Sequence, residues 1–211
     1  SAYLTSSDEK KGPVHNKNNQ IAGGSTAFWM KKLKENLVEK KEAKISLSKQ
    51  VIEVSFEEII QHAVNAVDKE NSTHLNADKA DEYAGGRTEL SKRIIAAKEK
   101  LLDYLRVPEK SDFELIKIIS SPTPSPRRPR ENVSFASKFC HCACFYLFDG
   151  EMEQDNYSIY DGIVVKALPK YLAHYKITDE TFAKITTNKF PKGEAYKVYN
   201  IYRKAVDAVI K

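Results

Sequence analysis

The 211 residues predict a mainly α protein, a multi-helix chain in one or two helical lobes. Three observations carry that expectation. Apolar residues recur three and four positions apart in most segments between turns. Apolar–polar alternation never runs long enough for a large sheet, and no internal repeat is present. Apolar residues make up 41% of the chain and charged residues 30%, the balance of a folded core rather than a disordered tract.

In chain order, residues 1–20 are polar and poor in core formers, so a flexible lead-in is expected. They lack the apolar centre of a signal peptide, and no apolar run approaches the roughly 18 residues of a membrane span. A cytoplasmic setting and no membrane partner are therefore expected. Residues 21–120 read as a helical lobe. Ser25 or Thr26 caps a first helix whose apolar positions are Trp29, Leu33 and Leu37. Ile45–Val54 alternates in places and suits either a short strand or an extended connection. Ser55 and Glu58 have capping-box spacing ahead of Ile59, Ile60, Ala63, Val64 and Val67.

Gly85-Gly86 then opens a long helical pattern from Leu90 to Leu105, closed by Pro108. The glycine pair does not form a phosphate loop, because neither GxxxxGK[ST] nor GxGxxG surrounds it. Asp112–Ile119 suits a short helix or a strand. His62 and His74 have no clustered partner ligands and read as ordinary helix and loop residues.

Residues 121–131 carry four prolines and form a connector that excludes regular helix or central strand. Arg127, Arg128 and Arg130 make it the most basic unmixed patch in the chain. It suits either a phosphate-backbone clamp or a solvated linker. The net charge of +5 is compatible with nucleic acid without requiring it.

Residues 132–211 form the second helical lobe. All three cysteines lie in Cys140-His141-Cys142-Ala143-Cys144. An odd, tightly spaced set is no disulfide framework. Zinc ligation lacks a second ligand pair, so small buried thiols are expected, with no metal and no cofactor. After Asp161, apolar positions at helical spacing continue to Val209, and Thr178 and Gly193 mark further helix starts. The tyrosines of this part, Tyr171, Tyr175, Tyr196, Tyr199 and Tyr202, suit the edge of a helical core better than base stacking.

Within this lobe Lys138 begins one apolar run and Asp161, twenty-three residues later, opens another. Between them lies the acidic, turn-forming insert Asp149–Asn156. An amine becomes a nucleophile once it sheds its proton, and an apolar neighbourhood such as Phe135, Ala136 and Phe139 favours that. A carboxylate at a helix N-terminus stays ionised. Together they suit attack at the anomeric carbon of a sugar. The plainer alternative is a surface lysine and an N-capping aspartate.

Residues 132–171 resemble the core of the helix-hairpin-helix DNA glycosylases, the 8-oxoguanine branch above all. Ser134-Phe135-Ala136-Ser137-Lys138 stands at the family's hairpin, Phe139–Phe148 at the following helix, and Tyr157-Ser158-Ile159-Tyr160-Asp161 at its aspartate segment. Ser134 and Ala136 occupy the positions of the hairpin glycines, and the spacing from Lys138 to Asp161 is longer than usual in the family. The resemblance implies a helix-hairpin-helix glycosylase-like fold and double-stranded DNA as partner. It implies Lys138 as Schiff-base nucleophile, Asp161 as catalytic aspartate, and DNA contact by Ser134 and Ala136. The implied activity is excision of a damaged purine such as 8-oxoguanine, with cleavage of the abasic site. A non-catalytic helical protein that binds DNA or another protein is the alternative.

Overall fold

The computed structural model describes residues 12–16, 21–47, 49–71, 75, 86–121, 131–186 and 195–210. Arg127, Arg128, Arg130, His74 and Gly85 lie outside the described residues. The described chain is mainly helical, with two small two-stranded ribbons.

The first ribbon pairs β1 (Pro13–His15) with β2 (Ile21–Gly23), antiparallel, so part of the expected flexible lead-in is a strand. Gly24 follows at φ 84°, a conformation that favours glycine, and turns the chain into α1 (Thr26–Leu37). Ser25 is the cap, accepting the Phe28 N–H at 3.2 Å. The Ile45–Val54 region is a hairpin of β3 (Ala43–Leu47) and β4 (Gln50–Val54); β3 buries Ala43, Ile45 and Leu47 on one face, whereas β4 buries Val54 and leaves Val51 exposed.

Helix α2 (Phe56–Glu70) begins with the expected capping box: Glu58 N–H donates to Ser55 Oγ and Ser55 N–H to the Glu58 carboxylate. The pattern from Leu90 to Leu105 splits at Ala97 into α3 (Arg87–Ala96) and α4 (Lys98–Arg106). Pro108 opens a 3-10 turn that ends the pair. Asp112–Ile119 is helical rather than extended, as α5 (Glu114–Ser120).

Helix α6 (Val133–Leu147) is the centre of the structure, packed by α1, α2, α4 and α5. Its composition explains that position. It carries only Lys138 as an ordinarily charged side chain, and only the stripe of Ser134, Lys138, His141 and Phe145 is partly exposed; a helix apolar over the rest of its circumference is stable only when packed on those sides. Buried residues form one continuous core from Ala27 in α1 to Ala205 near the C-terminus, across the 21–120 and 132–211 segments alike. The chain continues through α7 (Gly162–His174), α8 (Ala183–Thr186) and α9 (Tyr199–Ile210). Among the described residues no helix is long and apolar enough to cross a membrane.

Candidate active site

Lys138 and Asp161 meet because the chain doubles back along α6. After α6 ends at Leu147 it turns through the acidic insert and returns as an extended segment from Tyr157 to Asp161, with Tyr157 beside His141 and Tyr160 beside Ser137. The return brings Asp161 level with Lys138, and Asp161 Oδ2 lies 3.6 Å from Lys138 Nζ.

Among the described residues the returning segment has no strand neighbour, and side chains hold its backbone. His141 Nδ1 lies 2.8 Å from the Tyr157 carbonyl oxygen, which can only accept, so Nδ1 carries the proton. Tyr199 donates to the Ser158 carbonyl and Tyr202 to the Ile159 carbonyl, each at 2.5 Å. Tyr160 N–H donates to Ser137 Oγ at 2.9 Å. Ser137 and His141 are one turn apart on α6, and Tyr199 and Tyr202 share a face of α9. The segment is thus strung between those two helices, and Asp161 is delivered at its end. Burial pushes the hydroxyls of Tyr199 and Tyr202 well up, so both remain hydrogen-bond donors at neutral pH.

Each charge of the pair sits at the helix end that suits it. Asp161 is the N-cap of α7, its Oδ1 accepting the Ile163 N–H at 2.8 Å. Lys138 donates to the carbonyl of Asn71, the C-cap residue of α2, at 3.1 Å. The Lys138 side chain is 11% exposed and that of Asp161 33%, so the pair opens to solvent on the carboxylate side.

The expected hairpin is not formed. Ser134–Lys138 lies inside α6, which begins at Val133 rather than Phe139, and Lys138 is its sixth residue. Glycine would have allowed a tight turn here; serine and alanine allow the helix to start early. Ala136 is completely buried and donates its N–H to the Asn132 carbonyl, so it offers DNA no contact. Ser134, at the second position of the helix, is partly exposed.

The three cysteines are free, buried thiols, Cys142 on the face of α6 one turn beyond Lys138. Burial pushes all three thiols up, that of Cys142 to about 12, with Glu70 raising it further and Lys138 opposing. Such thiols are protonated at neutral pH and act as small apolar groups. Tyr199 and Tyr202 are core residues, as expected of the C-terminal tyrosines, but Tyr171 and Tyr175 are exposed. Sequence reasoning missed Ser137, Asn71, and the tyrosine hydroxyls as positioning groups. Their partners lie 23 to 67 residues away, and no local pattern marks them. Set against known protein families, curated protein sequences and solved structures, the chain matches none.

Proposed function

We propose that this chain is a DNA glycosylase that excises a damaged purine such as 8-oxoguanine and opens the resulting abasic site as a lyase. The observation that carries the reading is the 3.6 Å approach of the Lys138 amine to the Asp161 carboxylate at the start of α7. The two residues belong to separate helices, yet a dedicated set of side-chain bonds brings them together.

In the proposed reaction the target nucleotide is flipped out of the duplex. Lys138 transfers its proton to Asp161 and attacks C1′ of the deoxyribose. A C1′–N bond to lysine forms as the bond to the base breaks, and the base leaves with the electron pair and takes up a proton. The proton that the base takes up is the one Asp161 received from Lys138, and the carboxylate so restored stabilises the positive charge on the sugar. Ring opening gives a protonated Schiff base. Loss of a proton from C2′ then expels the 3′ phosphate by β-elimination, and water releases the lysine.

A second reading is a non-catalytic helical protein that binds DNA or another protein. The Asn71 contact favours it: with Asn71 and Asp161 as partners, Lys138 also joins α2, α6 and α7 as a structural ion pair. Incubation with a duplex carrying a single 8-oxoguanine separates the two. Release of the free base, followed by strand cleavage at that position, supports the glycosylase. An intact duplex for every purine lesion tried, with the folded protein in excess, supports the second reading.

A further inference from the structure

We infer that the outer face of α7 is a track for the phosphate backbone of duplex DNA, running away from the Lys138–Asp161 pair. This inference rests on the nucleic-acid reading of that pair and adds a surface to it. Helix α7 buries Val165, Leu168 and Leu172 on one side. On the opposite side, helical spacing aligns Ile163, Lys166, Lys170 and His174, all exposed, with Tyr171 and Tyr175 on the neighbouring shoulder.

The charge of this face is of one sign. From Gly162 to Thr178 the chain contains Lys166, Lys170 and Lys176 and no acidic residue. The other long exposed helices mix their charges: α1 sets Glu35 among its lysines, α3 sets Glu89 beside Arg93, and α9 pairs Arg203 with Asp207. The acidic insert, with Asp149, Glu151 and Asp155 exposed, follows the C-terminal end of α6, whereas α7 starts at the pair. A polyanion that reaches Asp161 therefore meets positive charge along α7 and negative charge in the insert direction.

The half-exposed tyrosines fit the same occupant. Tyr171 and Tyr175 are one turn apart and 52% and 57% exposed, on the flank of α7 between His174 and the buried stripe, where Tyr175 meets the His174 ring edge-on at 4.9 Å; they extend the exposed surface at that end of the helix as flat apolar faces for deoxyribose. Lys166 and Lys170 are likewise one turn apart, and each would displace a condensed counterion from a phosphate.

The test is binding of the full chain to a fluorescein-labelled undamaged duplex, read by anisotropy across about 50 to 200 mM salt. The variant is Lys166→Glu/Lys170→Glu. The control is Lys92→Glu/Lys100→Glu on α3 and α4, with the same change in charge and exposed positions of origin. The α7 variant is expected to bind at least about tenfold more weakly and to lower the slope of log K against log salt by about two. The control is expected to stay within about twofold of the parent. Equal losses in both variants, unchanged binding in the α7 variant, or an unaltered parent that binds anionic vesicles but no duplex would each overturn the track. Because the probe carries no lesion, the outcome is independent of catalysis: an α7-dependent slope with no base excision leaves the track standing and sinks the glycosylase.

Discussion

Ser137 Oγ accepts the Tyr160 N–H at 2.9 Å, and the residues immediately following these two are Lys138 and Asp161. The bond therefore sets the register in which the extended segment passes α6 and the separation of the amine from the carboxylate. Ser137 is fully buried and also donates to the Ser134 carbonyl at 3.0 Å. Ser137→Ala leaves the Tyr160 N–H without its acceptor, at an expected cost of about 1–3 kcal/mol by denaturant titration. Activity on a damaged duplex is expected to fall further than that loss of folded protein accounts for, because Asp161 is no longer held level with Lys138.

Asp161→Asn separates the two roles of the aspartate. Asparagine keeps an oxygen for the Ile163 N–H and caps helices as well as aspartate does. The variant leaves the Lys138 ammonium, only 11% exposed, with the Asn71 carbonyl but no counter-charge, so a loss of about 1–3 kcal/mol is expected. Base excision is expected to slow by about 10²–10⁴, the usual contribution of a positioned proton acceptor. Matched melting curves alongside single-turnover rates check both halves. An unslowed Asn variant removes Asp161 from the chemistry.

Alkali is expected to unfold the protein from about pH 9 upward. The buried thiol of Cys142 is raised from 9.0 to about 12, and the hydroxyl of Tyr160 from 10.0 to about 12. A raised value in an acid that ionises to an anion means that the folded state keeps its proton while the unfolded state loses it. The associated stability is complete below the unfolded value and is lost as pH rises toward the folded one. For Cys142 alone the slope is about 1.4 kcal/mol per pH unit between those limits. Denaturation midpoints at pH 8, 9, 10 and 11 should fall progressively, and Cys142→Ala should flatten the first part of the decline. A midpoint constant through pH 11 contradicts the burial of these groups.

Gly24→Ala tests the packing at the start of α1. Gly24 has φ 84°, and a methyl group there would come within 2.4 Å of Trp29 Nε1. That indole nitrogen donates to the Gly23 carbonyl at 2.9 Å, and Trp29 is fully buried and stacked on His62. Backbone strain and displacement of the indole together are expected to cost about 2–4 kcal/mol, seen as a lower unfolding midpoint. A variant as stable as the parent shows that Trp29 is packed elsewhere.

Features set by short spacings were legible in the sequence. The Ser55–Glu58 box, the first helix cap, which falls on Ser25 of the two candidates Ser25 and Thr26, and the stop at Pro108 each depend on residues within one turn. The central place of α6 follows from its near-absence of charge. The resemblance led to a hairpin before Lys138, but without glycine the segment has no reason to leave the helical conformation, and Val133–Leu147 runs unbroken. The β3–β4 hairpin carried only a broken alternation, since β4 leaves Val51 exposed. The bonds that hold the extended segment were illegible for a different reason: a tyrosine hydroxyl on α9 meets a carbonyl 41 or 43 residues earlier only after the core has formed.

Borohydride trapping on a duplex with a single abasic site measures the central assignment most directly, since reduction captures the imine between lysine and C1′. The parent chain is expected to give a covalent protein–DNA adduct whose modified peptide contains Lys138, and Lys138→Ala is expected to give none while remaining folded. No adduct with the parent chain, or an adduct of undiminished yield in Lys138→Ala, contradicts the assignment of Lys138 as the nucleophile.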